Sequence, residues 1–229
     1  MALLTFVPLA LAAAWSVFWG EAFPAVGLLG AIFSGVTVYC TSMIYASLKS
    51  VDAWHTPLTS ACYLAFAASG GLTAASFFAL VSRSIHAPFI VLAASAVSIL
   101  AWIVRSRWQS RVKTVQPRST PESATGLGFL GSVRLFEPPH MTGNYLTNEM
   151  GFKIARKHAE KLFWIAVACG GALPVLLLSG AVLAGMAALH ILAALLGGIA
   201  LVAHIAGLFV ERWLFFAQAR HSVMNYYGS

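Results

Sequence analysis

Six apolar stretches, each near the roughly 20 residues that cross the hydrocarbon of a bilayer, decide what this chain can fold into. They run from Leu3 to Trp19, Phe23 to Ala46, Pro57 to Val81, Pro88 to Val104, Leu162 to about Gly180, and Ala187 to Phe216. Inside lipid no water satisfies the backbone, so each stretch must close its own hydrogen bonds as a helix. The composition agrees. Of 229 residues 59% are hydrophobic and 9% charged, whereas a soluble domain has roughly a quarter of its residues charged.

The sequence therefore predicts an all-α, polytopic transmembrane bundle of six spans. Residues 1–105 form a four-helix part, 106–160 a long loop, and 161–229 a two-helix part with a C-terminal tail. Pro174 predicts a kink in the fifth span. The stretch Met1–Ala22 lacks the basic start of a secretory signal and is read as a span.

The net charge is +7, but no platform of interleaved aromatic and basic residues accompanies it, so nucleic acid is not the expected partner. The charge is sided instead. Six spans place both termini, the second–third loop and the long loop on one side. That side holds Lys49, the ten basic residues from Arg105 through Lys161, Arg212 and Arg220, against Arg83 alone on the other. The positive-inside rule makes the rich side cytoplasmic; a bacterial inner membrane is the expected location.

The long loop opens on a basic, polar linker through Arg107, Arg111, Lys113 and Gln116–Pro121. Its middle mixes Leu127, Phe129, Leu130, Leu135 and Phe136 with Arg134. Exposed apolar residues beside arginine suit a surface that docks a partner protein, centred on Arg134, Leu135 and Phe136. Folding back onto the membrane surface is the competing expectation. From Asn148, as N-cap with Glu149 in the first turn, a helix is expected to start. Lys153, Arg156, Lys157 and Lys161 then meet lipid headgroups.

No catalytic constellation and no metal-ligand spacing is visible. Cys40, Cys62 and Cys169 lie in apolar stretches and read as packing residues. Ionisable residues deep in a membrane are functional candidates; here they are His190 and His204, fourteen residues apart and so about 21 Å along one helix. That spacing would let one helix ligate two haems, yet each haem needs a second axial ligand and no other histidine lies deep in a span. Packed histidines are the expectation, and haem b is not. Glu211-Arg212-Trp213 reads as an ion-paired interface anchor, or as part of a partner or quinone wall. Tyr45, Lys49, Trp54 and His55 gather where the second span ends and the third begins. They offer donors and a ring face to a quinone headgroup, and each also fits interface anchoring.

The stretches Cys40–Lys49, Trp54–Thr59, Arg134–His140, Asn144–Phe152 and Val210–His221 resemble the membrane-anchor subunit family of DMSO-reductase-type molybdoenzymes. Within it the basic loop is most similar to the branch that anchors a cytoplasmic sulfite dehydrogenase. The resemblance implies a haem-free helical subunit that exchanges electrons between a membrane quinone, ubiquinone or menaquinone, and an iron–sulfur subunit. That partner serves a molybdopterin catalytic subunit, in sulfite oxidation or DMSO-type reduction. Family members usually have eight spans, and Met1–Phe6 resembles the start of the third. Either the start codon is internal or this version is shorter, so the quinone residues named would be half a site. Two other functions stay open: a b-type haem carrier using His190 and His204, and a small transporter. The first and last three spans show no repeat of the kind transporters carry.

Overall fold

The computed structural model describes residues 2–115, 120–134, 136–137 and 156–222. In it the six stretches are six helices long and apolar enough to cross a membrane: α1 (Ala2–Trp19), α2 (Pro24–Ala46), α3 (Pro57–Val81), α4 (Ala87–Thr114), then, beyond a short α5 (Pro121–Thr125), α6 (Ala159–Met186) and α7 (His190–Ala217). Among the described residues the extended structure is one isolated bridge, Val51 to His221. Pro24, Pro57 and Pro88 each stand in the first turn of a helix, where a missing N–H costs nothing.

The packed faces repeat at steps of three and four and are made mostly of small and polar residues. On α7 they are Ala193, Gly197, Ala200, His204, Gly207, Glu211 and Leu214. On α4 the same stripe runs Ala87, Val91, Ala94, Ser98, Ala101, Arg105 and Trp108. Lipid is as apolar as leucine, so membrane helices associate where small residues let backbones approach and pack. α3 lies between α4 and α7, α6 packs on α7 and α4, and the α1–α2 hairpin joins the bundle through α2 against α3. Thr5 and Thr37 share a 2.9 Å hydroxyl hydrogen bond that ties α1 to α2.

One expectation changes. Arg105 and Arg107 do not end the fourth helix; α4 runs ten residues past Val104 to Thr114, and Arg105 is buried and paired inside the bundle. The loop proper therefore starts more than two turns later than the charge pattern suggests. The proline of the fifth span comes with a π-turn. Residues Ala168–Ala172 form a π-turn just ahead of Pro174. Pro174 has no N–H for the carbonyl four residues back, that of Gly170. That oxygen accepts instead from His204 Nδ1 at 2.7 Å. At the same level Gly207 meets Gly170 so closely that a Cβ on Gly207 would fall 2.2 Å from the Gly170 Cα.

One end of the bundle is tied together by polar contacts. Arg111 Nη1 donates to the Asp52 carbonyl at 3.0 Å. Arg156 donates to the carbonyls of Ala217 and Ala219. Ser222 N donates to Ser50 O. Arg156 is thus not simply turned to headgroups: it caps the C-terminus of α7, where a cation also meets the negative end of the helix dipole. Its half-burial holds its pKa below the usual arginine value, and nearby Arg220 lowers it further. The helix expected from Asn148, with Glu149 and Lys153, lies outside the described residues.

Candidate functional site

Just inside this polar end, three charges share a site that no single span reveals. Arg105 Nε on α4 donates to Glu211 Oε1 on α7 at 2.5 Å, and both side chains are fully shielded. Arg105 Nη1 reaches Gln109 Oε1 at 2.8 Å and Nη2 reaches Gln218 Oε1 at 3.4 Å. Arg212 grips the same carboxylate through Nε and Nη2. Two cations face one anion, and aromatic faces take up the excess: Arg105 lies 4.4 Å from the Trp108 ring centroid, and Arg212 lies 4.5 Å from that of Tyr63 and 4.8 Å from that of Phe215. A ring face attracts a cation most strongly where water is excluded. The charge pattern alone makes Arg105 a loop charge and Glu211-Arg212 an interface anchor. The signal that separates them is register: Glu211 falls on the small-residue stripe of α7, so it has to face the bundle.

Next to these charges lies an aromatic cluster that uses two of the four candidate quinone residues. The Trp54 ring stacks on Phe215 at 5.4 Å, and its Nε1 donates to the Phe215 carbonyl at 3.2 Å. Tyr45 meets Trp54 edge-on at 5.2 Å and lies near-parallel to Tyr63 at 5.8 Å. Thr59 Oγ1 accepts from Trp108 Nε1 and donates to the Trp54 carbonyl. Tyr45 and Trp54 therefore brace the α2–α3 connection against α7. Lys49 is exposed on that connection.

His55 stands apart from the cluster. Its Nδ1 lies 2.8 Å from the Ala46 carbonyl at the end of α2. A carbonyl only accepts, so Nδ1 carries the proton and a neutral ring keeps its lone pair on Nε2. His55 lines a cavity of about 540 Å³ with Tyr39, Met43, Ala46, Thr56, Pro57 and Ser60, between α2 and α3. The structure thus divides the four candidates: His55 lines this cavity, Tyr45 and Trp54 belong to the aromatic core, and Lys49 lies outside. Tyr39, which the sequence alone does not single out, joins His55 there. It precedes Tyr45 by six residues, not a same-face spacing, so the two tyrosines serve different neighbours.

In the loop, Thr120 and Ser123 form a reciprocal capping box at the start of α5, and Glu122 Oε1 accepts from Val133 N at 3.1 Å. This turn leaves Phe129, Leu130 and Phe136 exposed, Phe136 at 98%. Arg134 is exposed beside them, whereas Leu135 and His140 lie outside the described residues.

The two deep histidines occupy different settings. His204 is wedged against α3, its Nε2 3.8 Å from where a Cβ on Gly70 would stand. His190 opens α7 and lines a cavity of about 200 Å³ with Arg83 and Ser84, at the end opposite His55. Among the described residues no group of three His, Cys, Asp or Glu side chains is placed to hold a metal ion.

Over 207 residues the chain is 31% identical to a protein of Allochromatium vinosum named as one of the subunits of a sulfite dehydrogenase. The similarity is to a component of an oxidoreductase. It covers 89% of this chain, which spans 60% of the length of that relative. No family model and no solved structure matches the chain.

Proposed function

We propose that the chain is the membrane subunit of a sulfite-oxidising complex, passing electrons from an iron–sulfur partner into membrane quinone. Sulfite oxidation at a molybdopterin subunit releases two electrons and two protons. Quinone reduction takes up both. The observation that carries this reading is the 31% identity to a sulfite dehydrogenase subunit across most of the chain. The chemistry of the His55 cavity supports it. A space between two helices, lined by Tyr39, Met43 and Pro57 beside the His55 imidazole, suits a quinone ring and the few polar groups that orient it.

In this reading the exposed loop residues Arg134 and Phe136, with Leu135 between them, dock the iron–sulfur partner. The polar end of the bundle, with the loop and both termini, faces the cytoplasm, since thirteen of the fourteen lysines and arginines belong to that side. The quinone is ubiquinone or menaquinone, drawn from the lipid between α2 and α3.

Purification in mild detergent tests the assignment. An iron–sulfur protein and a molybdopterin protein should co-purify, with iron and molybdenum. A chain isolated alone from membranes that express those subunits would count against it. A cytoplasmic reporter fused after Thr120 should be active, and an active extracytoplasmic reporter there would reverse the orientation.

A further inference from the structure

Another cavity, larger than the one beside His55, opens between α4 and α6. It measures about 680 Å³ and is lined mainly by apolar groups, among them Ile99, Ile103, Val175 and Leu176. It lies where the π-turn and Gly171 thin the wall of α6. A Cβ on Gly171 would fall 2.6 Å from Trp102 Nε1, so the indole reaches the α6 backbone only because glycine stands there. Two residues of the lining carry donors that nothing takes: Trp102 Nε1 and Ser98 Oγ are buried without a hydrogen-bond partner among the described residues. At the polar end of the same groove stands Arg107, exposed, with Ser110 next to it.

We propose that this groove binds one anionic glycerophospholipid. The spacing matches such a molecule. Arg107 is five residues from Trp102 and nine from Ser98, or about 7.5 and 13.5 Å along the helix. A phosphate at Arg107 therefore sets the glycerol ester carbonyls near the level of Trp102 and runs an acyl chain past Ile99 and Val175. Trp102 Nε1 and Ser98 Oγ are both shielded from the groove, so each takes an ester oxygen as its missing acceptor after a side-chain rotation. Arg105, two residues away, is committed to Glu211 and Arg111 to the Asp52 carbonyl. Arg107 is the cation that lines the groove. A neutral quinone ring would leave that cation without a counter-charge, so the observations favour the phospholipid.

Native mass spectrometry of the intact chain in detergent, titrated with phosphatidylglycerol and separately with phosphatidylcholine, tests this. One phosphatidylglycerol should bind per chain. Arg107→Gln should weaken that binding about tenfold, the worth of one charge-assisted contact, and leave phosphatidylcholine unchanged. Ala172→Phe, which fills the groove, should abolish binding while the chain keeps its elution volume and helical circular dichroism. Equal affinity for both lipids, indifference to Arg107→Gln, or displacement of phosphatidylglycerol by an equimolar quinone would overturn the proposal. Should Ala172→Phe misfold, Val175→Trp addresses the same wall from the next turn.

Discussion

Arg105 and Glu211, 106 residues apart in sequence, meet at 2.5 Å with neither side chain open to solvent, and this contact joins α4 to α7. The cluster is not symmetric. Removing Arg105 leaves Glu211 with Arg212, a balanced pair. Removing Glu211 leaves two buried or half-buried cations facing each other. Breaking a buried pair by deleting one partner costs about 3–5 kcal/mol. Glu211→Gln should therefore lower the thermal midpoint in detergent well below that of Arg105→Gln. Equal midpoints would show that Arg212 does not share the carboxylate.

The crossing of α6 and α7 gives a sharper contrast. Gly207 has no room for a Cβ, since Gly170 lies 2.2 Å from its expected position, whereas a Cβ on Gly71 of α3 meets nothing within 4 Å. Forcing a methyl into a packed contact costs roughly 1–3 kcal/mol, and glycine-to-alanine in an open helical position gains up to about 1 kcal/mol. Gly207→Ala should destabilise the bundle and Gly71→Ala should not. Both can be read from thermal unfolding followed by circular dichroism.

Much of the fold is legible in the sequence because its cause is local. Long apolar runs, prolines in first turns and a sided charge pattern need no tertiary information, and six helices follow from them. What is not legible depends on which face each helix turns inward. A span boundary drawn at Val104 treats Arg105 as a stop, and only Glu211 on another helix makes it a buried partner. Tyr45 and Trp54 look like interface donors in sequence, and only the fold shows that both also pack against Phe215. Pro174 reads as a kink; the carbonyl it frees at Gly170 meets His204, which no count of residues links to it. The heptad-like stripe through His204, Gly207 and Glu211 is present in the sequence and is enough to orient α7.

The turn that presents the loop is pH-sensitive. The backbone N–H of Glu122 itself, the Thr120 hydroxyl and the Val133 N–H all favour the charged carboxylate, so Glu122 titrates below the ordinary glutamate range. A depressed folded-state pKa means the stabilisation is present above the unfolded pKa and is lost as pH falls through the folded value. The Val133 amide resonance should therefore follow a titration with its midpoint below that of an unpartnered glutamate. In Glu122→Gln this step should vanish. A midpoint at the ordinary value would contradict the contact.

Phe136, with 98% of its surface open, is the strongest candidate anchor for a partner, since buried aromatics beside arginine carry most of an interface's energy. If the proposed function holds, Phe136→Asp should move the proposed iron–sulfur partner into the soluble fraction while the chain remains in the membrane. Retention of the partner would favour a loop that lies on the membrane surface instead.

In the proposed function, electrons from sulfite leave the complex as quinol beside His55. The direct measurement is sulfite-dependent quinone reduction by the whole complex in vesicles, set beside reduction of a dye that takes electrons at the catalytic subunit. Loss of a positioned proton donor costs on the order of 100-fold or more. His55→Ala should thus cut quinone-linked turnover by at least about 100-fold, further lowered by Lys49→Ala only if the exposed lysine guides the headgroup, and leave dye reduction intact. Undiminished quinone reduction in His55→Ala would contradict the account.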